Sequence, residues 1–170
     1  MIVFILILLL FLLYFLIAIF LPKTTTIAAS LKMNTDLTKT YETLKDFKNW
    51  KDWSIWNSDN TLNILLSEPS DQIGARYRWK SKIKELKDGL IILKSVREYH
   101  QLEFEWRYGK QRRGEILFNL EPDNQISFVT CSITINNKTK IFARYFTWLI
   151  RKSIHKNIQE VLVKIEESMK

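Results

Sequence analysis

The stretch Gln101-Leu102-Glu103-Phe104-Glu105-Trp106-Arg107-Tyr108 alternates apolar and polar side chains residue by residue. Successive side chains of a β-strand point to opposite faces, so this pattern predicts a strand with one buried and one wet face. Glu103 and Glu105 then point to solvent. A one-sided strand belongs in an antiparallel sheet whose other face is covered. Outward from it, Leu62 to Ser67, Ala75 to Lys80, Leu90 to Glu98, Glu115 to Glu121 and Gln125 to Ile135 are further strand-like runs separated by turn residues. Tyr77 with Trp79, and Ile116 with Phe118 and Leu120, repeat the alternation, whereas Val129 to Ile133 leaves the two faces unassigned. Asp123-Asn124 reads as a tight turn between the last two strands.

From Ile141 onward Tyr145, Trp148, Leu149, Ile154, Ile158, Val161, Leu162, Ile165 and Met169 hold a helical period to the end of the chain. Such a helix needs an apolar partner, and the inner face of the sheet is the expected one. The fold class is therefore α+β, an antiparallel sheet curved around a long C-terminal helix.

At the other end, Ile2 to Leu21 holds no charge, no Gly and no Pro. At about 1.5 Å per residue this run spans about 30 Å, the hydrocarbon thickness of a bilayer. Leu, Ile, Val and Phe make up 18 of its residues, and an insertion scale assigns the run about −5 to −11 kcal/mol. A secretory signal peptide needs a charged beginning and a shorter apolar centre, and this run meets neither requirement. The expected organisation is a transmembrane anchor over residues 1–22 and one domain over residues 23–170. Pro22 ends the helix, and Thr24 to Met33 reads as a first strand, so the linker is almost absent.

Asn34, Thr35 and Asp36 are capable N-caps, and Leu37, Tyr41, Leu44 and Phe47 follow at helical spacing. Trp50, Trp53 and Trp56 then recur at intervals of three. Rings so spaced share roughly one face of a helical turn and demand burial, which reads as a packing corner.

The segment Asp46-Phe47-Lys48-Asn49-Trp50-Lys51-Asp52-Trp53-Ser54-Ile55-Trp56, after a strand and a short helix, resembles the START-like superfamily, also called SRPBCC, and especially its polyketide cyclase and lipid transport branch. Gly74-Ala75-Arg76-Tyr77-Arg78-Trp79 is similar to the family's G-A-x-Y-x-W strand, and Ala143-Arg144-Tyr145-Phe146 to the G-R-Y-F of its last helix. Leu21-Pro22-Lys23 is similar to the L-P-K that closes the anchor in membrane-tethered members. Two departures stand out: Lys residues before the anchor are missing, and Ile154-His155 replaces a Gly-Pro in the last helix. The resemblance implies a helix-grip fold and a cavity for hydrophobic or amphipathic molecules, with Tyr77, Trp79, Phe104, Trp106 and Phe118 as its ligand-binding lining.

Catalytic signals are sparse. His100 reads as an exposed turn residue, His155 as a surface or cavity-mouth residue and Cys131 as a small buried hydrophobe. One cysteine and two histidines argue against a disulfide or a conventional zinc site, so no metal and no cofactor is expected. The net charge of +8 lies wholly outside the apolar run, and Arg107, Lys110, Arg112 and Arg113 cluster around Gly109 and Gly114. That basic hairpin is a candidate membrane-surface contact. The expected partners are the lipid bilayer and a lipid-like small molecule, with no nucleic acid, since no reader motif is present. A cyclase-like enzyme and a ligand-free partner-binding domain are the alternatives. Lys23, Lys32 and Lys39 follow the anchor with no Lys or Arg before it, so the positive-inside rule expects a single-pass membrane protein with a cytoplasmic domain.

Overall fold

The computed structural model describes residues 2–54, 62–81, 88–109, 112–123, 126–138 and 140–170. The elements run α1 (Ile2–Phe20), β1 (Thr24–Met33), α2 (Leu37–Lys45), α3 (Trp50–Trp53), β2 (Leu62–Leu66), β3 (Arg76–Ser81), β4 (Gly89–Arg97), β5 (Gln101–Tyr108), β6 (Arg112–Asp123), β7 (Ile126–Asn136) and α4 (Ile141–Ser168). Strand alternation in the sequence thus locates the strands closely, and β5 coincides with the alternating stretch Gln101 to Tyr108. Trp56 and the expected Asp123-Asn124 turn fall, wholly or in part, outside the described residues.

All strand pairs are antiparallel, in the order β1-β7-β6-β5-β4-β3-β2. Consecutive strands from β2 to β7 are neighbours, and only β1 joins out of sequence, against β7. The β4–β5 register shifts between Leu93 and Ser95, a bulge of the kind that bends a strand. With α4 laid along one side, this is the expected helix-grip α+β architecture.

Asp36 caps α2, its carboxylate accepting from the Lys39 N–H at 2.8 Å. Past α2 the chain turns Phe47, Trp50 and Trp53 into the core, each at most 3% exposed. The Trp50 indole N–H donates to the Leu44 carbonyl at 2.9 Å, so a polar edge enters the core with its partner supplied. The expected packing corner is present at Trp50 and Trp53.

The two halves of α4 behave differently. In the C-terminal half Ile158, Leu162, Ile165 and Met169 are buried, and the helix lies chiefly against β1. Its end is tied down by the Asn34 N–H, which donates to Glu166 Oε1 at 3.0 Å, and by the Lys39 ammonium, which donates to the Met169 carbonyl. In the N-terminal half the buried side chains are Arg144 and Thr147, while Trp148 and Leu149 are exposed. The expectation that Trp148 and Leu149 face the sheet is therefore corrected: the apolar period continues through both halves, but only the second half finds the sheet beneath it.

Arg144 is 5% exposed, and its hydrogen-bond partners among the described residues are backbone carbonyls. Its Nη1 donates to Ala18 and Ile19 at 3.2 and 3.4 Å, Nη2 to Lys138 at 3.2 Å and Nε to Asn137 at 3.5 Å. The last carbonyls of a helix lack intrahelical donors and carry the negative end of its dipole, so a guanidinium there is doubly favourable. Arg144 thereby joins α1 to the start of α4.

Candidate functional site

The strand registers divide the inner face of the sheet into two ends. One cross-strand row runs Leu102–Phe118–Cys131–Ala29 and the next Phe104–Ile116–Ile133–Ile27. Beyond these lie Tyr77–Ile91–Trp106–Gly114–Ile135–Thr25 and, last, Trp79–Gly89–Tyr108.

At the first end the space between sheet and helix is closed. The Phe47 ring centroid lies 4.8 Å from Trp50 and 5.8 Å from both Tyr77 and Phe104. Trp50 lies 5.6 Å from Tyr77 and 5.3 Å from Phe104, and Phe104 meets Phe118 edge-on at 6.1 Å. Met33, Leu44, Leu162 and Ile165 complete a fully buried plug. Of the five expected ligand-lining residues, Tyr77, Phe104 and Phe118 thus belong to a filled core. Burial raises the Tyr77 phenol above its ordinary pKa, opposed by its hydrogen bond with Ser54.

At the second end burial is uneven. Tyr77, Ile91 and Trp79 are at most 3% exposed, whereas Trp106, Tyr108 and Ile135 are only half-buried. Two close approaches shape this end. A Cβ on Gly89 would fall 1.8 Å from Trp79 Cζ2, and one on Gly114 would fall 2.7 Å from Trp106 Nε1 and 1.9 Å from the Thr134 carbonyl oxygen. Each glycine therefore makes room for an indole from the neighbouring strand, so Trp79 and Trp106 lie along the sheet. Of the expected lining residues on these rows, Tyr77, Trp79 and Trp106, only Trp106 is half-buried.

The Trp53 and Trp106 indole nitrogens are buried without a hydrogen-bond partner. Trp53 packs at a tilt on Trp50 with centroids 4.7 Å apart, and Trp50 meets Phe104 edge-on, two positions before Trp106 on the same face of β5. A buried unpaired donor costs about 1–3 kcal/mol, so each indole is an unmet demand for an oxygen acceptor. The Tyr41 hydroxyl at the closed end is the remaining buried orphan among the described residues, its pKa pushed up to about 12 chiefly by burial and then by the Glu98 carboxylate.

Cys131 is buried and its thiol is pushed up to about 12 by burial, so it is a packing residue. His100 is exposed in the β4–β5 turn, with Nδ1 2.7 Å from the Glu98 carbonyl, and His155 is exposed with Nδ1 2.8 Å from the Ala28 carbonyl of β1. Glu105 lies on the outer face as expected, paired with Arg107 at 2.6 Å and Lys94 at 3.8 Å. Its hydrogen bond from Arg107 holds its pKa below the usual carboxylate range. Among the described residues no cluster of three or more His, Cys, Asp or Glu side chains could hold a metal. Chemically, the open end offers aromatic surface and the Trp106 indole donor, groups suited to an apolar moiety beside an oxygen.

The same end of the sheet carries the chain's basic hairpin and the exit to α1. Arg113 pairs with Arg107 across β5–β6, Gly114 stands opposite Ile135, and Ile135 stands opposite Thr25 at the start of β1. Lys110 lies outside the described residues, and Arg112 closes the β5–β6 register opposite Tyr108. Away from this region, Ser67, Glu68, Gln72, Ile73 and Arg76 help to line an open groove of about 330 Å³ that contains none of the five expected residues.

Sequence reasoning did not single out Gly89 or Ile135, and read Gly114 only as part of the basic hairpin. Tyr108 was visible in the alternation of β5, but the pairing of each glycine with a tryptophan exists only once the strand register is known.

Among solved structures the chain is similar to TTHA0849 from Thermus thermophilus, with 17% identity and a TM-score of 0.62 over 85% of this chain and 97% of that one. A protein from Staphylococcus epidermidis gives 11% identity and a TM-score of 0.63, over 87% of this chain and 91% of that one. DynU16, from the dynemicin biosynthetic locus, gives 11% identity and a TM-score of 0.59; the match covers 84% of this chain but only 46% of DynU16. These likenesses concern the fold. No protein-family profile and no curated protein sequence matches the chain.

Proposed function

We propose that this chain is a membrane-tethered binding module of the START-like type, which holds a lipid-like molecule at the open end between sheet and α4. The observation that carries the reading is one of placement: the aromatic, partly buried end that holds the unpaired Trp106 indole donor is the end at which β1 follows α1. A ligand leaving or entering a bilayer around α1 would therefore have a short path to the site. Trp106 contacts the apolar part of the ligand and its indole donates to an oxygen on it, while Trp79, Tyr77, Phe104 and Phe118 form the buried floor.

The apolar helix supplies the tether. Its window has a mean hydropathy of 3.5 and is 6% buried, as suits a helix surrounded by lipid. Lys23, Lys32 and Lys39 favour a cytoplasmic domain, and the hairpin cations Arg107 and Arg113 lie at the sheet end next to the headgroups.

Native mass spectrometry of the detergent-purified full chain, followed by lipid extraction, tests the proposal. A bound species of lipid-like mass should accompany the wild type and be depleted in Trp106→Ala. Wild type that carries no small molecule, and takes none up from vesicles, would overturn it.

A further inference from the structure

The first half of α4 is amphipathic with its faces exchanged. In a water-exposed helix polar residues face out and apolar ones face in. Here Arg144 and Thr147 face in, while Phe142, Phe146, Trp148 and Leu149 face out, at 52%, 47%, 49% and 71% exposure. Phe142, Phe146 and Leu149 fall at i, i+4 and i+7, so they form one continuous stripe. From Ile141 to Ile150 the only charge is that of Arg144, spent on backbone carbonyls.

The neighbour of this face identifies its surroundings. Tyr14 of α1 stacks on Tyr145 at 4.4 Å and on Phe142 at 5.7 Å, nearly parallel in both cases, and the Tyr145 hydroxyl donates to the Tyr14 carbonyl. Tyr14 lies about 9 Å along the helix from the Phe20 end, at roughly 1.5 Å per residue. Whatever surrounds the middle of α1 also surrounds the first turns of α4. Past Ile150 the character changes: Arg151 and Lys152 follow, with the Arg151 guanidinium 5.6 Å from the Trp148 ring centre. An apolar face bordered by Trp and cations is the pattern of a helix lying at the headgroup boundary.

We infer that the N-terminal half of α4, Phe142 to Leu149, is embedded in the lipid interface beside α1, a second membrane contact that fixes the domain's tilt. The occupant of the face is the acyl and headgroup boundary of the bilayer, by continuity with the lateral surface of α1. The inference rests on the reading of α1 as a membrane span. Arg144, locked to the last carbonyls of α1, holds the two lipid contacts in one rigid geometry.

The test uses the full chain in nanodiscs of phosphatidylcholine and phosphatidylglycerol, with a fluorescent nitrobenzoxadiazole label on a single introduced cysteine. Leu10→Cys in α1, Leu149→Cys and Glu160→Cys are all at exposed positions, and Cys131→Ala removes the native thiol. The expected result is quenching by doxyl-labelled lipid, without quenching by aqueous iodide, at positions 10 and 149, and the reverse at 160. Iodide quenching at 149 with lipid quenching retained at 10 would overturn the inference and leave the anchor standing. Iodide quenching at 10 would overturn the anchor, and the inference with it. A label at 149 shielded from both quenchers would assign the face to a second copy of the chain and overturn the lipid assignment.

Discussion

The closed and open ends of the inner face are built from the same kind of residue, yet the rings do opposite things. At the closed end Phe47 and Trp50 descend from the α2–α3 segment and fill the sheet's concavity, so Tyr77 and Phe104 meet rings at 5–6 Å and no water. At the open end no such segment covers the sheet among the described residues, and Trp106 and Tyr108 stay half-buried. The difference teaches that an aromatic inner face is not in itself a cavity. What decides is whether another element supplies a plug.

The comparison breaks most readily at Trp50. Trp50→Ala removes a fully buried ring and should cost about 3–5 kcal/mol, whereas Trp106→Ala, at a half-buried position, should cost about 1–2 kcal/mol. Thermal melting of the two variants in the same detergent measures the contrast. Equal losses would mean that the open end is packed as firmly as the closed one.

Next come the glycines. A Cβ at Gly89 meets the Trp79 side chain first, but at Gly114 it meets the Thr134 backbone carbonyl of the neighbouring strand, which has less freedom to move than a side chain. Both alanine variants overpack, at about 1–3 kcal/mol, with Gly114→Ala the costlier. Trp79→Leu should rescue Gly89→Ala in a double-mutant cycle, while Trp106→Leu should rescue Gly114→Ala only in part. Full rescue at Gly114 would show that the indole, rather than the strand backbone, is the obstacle.

The smallest effect concerns how far the closed end excludes water. Cys131 stands in the Leu102–Phe118–Ala29 row, and its thiol is raised from an ordinary 9.0 to about 12 by burial. The folded state then holds the thiol proton more tightly than the unfolded chain does, so this contribution is fully present below about pH 9 and declines as pH rises toward 12. By pH 10 the loss should reach roughly 1.4 kcal/mol. Denaturation at pH 8 and pH 10 should show that excess loss for wild type over Cys131→Ala. Equal slopes would mean that water reaches the row.

The strands and the extent of α4 were legible because period-two and period-3.6 patterns are local. Which way α4 faces was not, because helical periodicity reports an apolar face without saying whether the sheet lies against it. Trp148 and Leu149 satisfied the period as well as Ile158 and Leu162 did, yet only the latter pair is buried. The packing of the inner face was legible in part for a related reason. Tyr77, Trp79, Phe104, Trp106 and Phe118 all share that face, and which of them is fully packed depends on where Phe47 and Trp50 come to rest.

The place of β1 in the sheet bears on how the chain assembles. Ser30 and Thr130 share a hydroxyl hydrogen bond at 2.9 Å although 100 residues separate them. Every other strand pairs with a neighbour in sequence, so the hairpins of β2 to β7 close short loops, while β1 must close a long one at a higher entropic cost. During synthesis β1 leaves the ribosome before the other strands and waits, partnerless, until β7 emerges. Its other neighbour, α4, comes later still. An apolar α1 already lodged in a bilayer would hold the waiting strand at a fixed place, turning the slowest contact in the fold into a search confined to a surface.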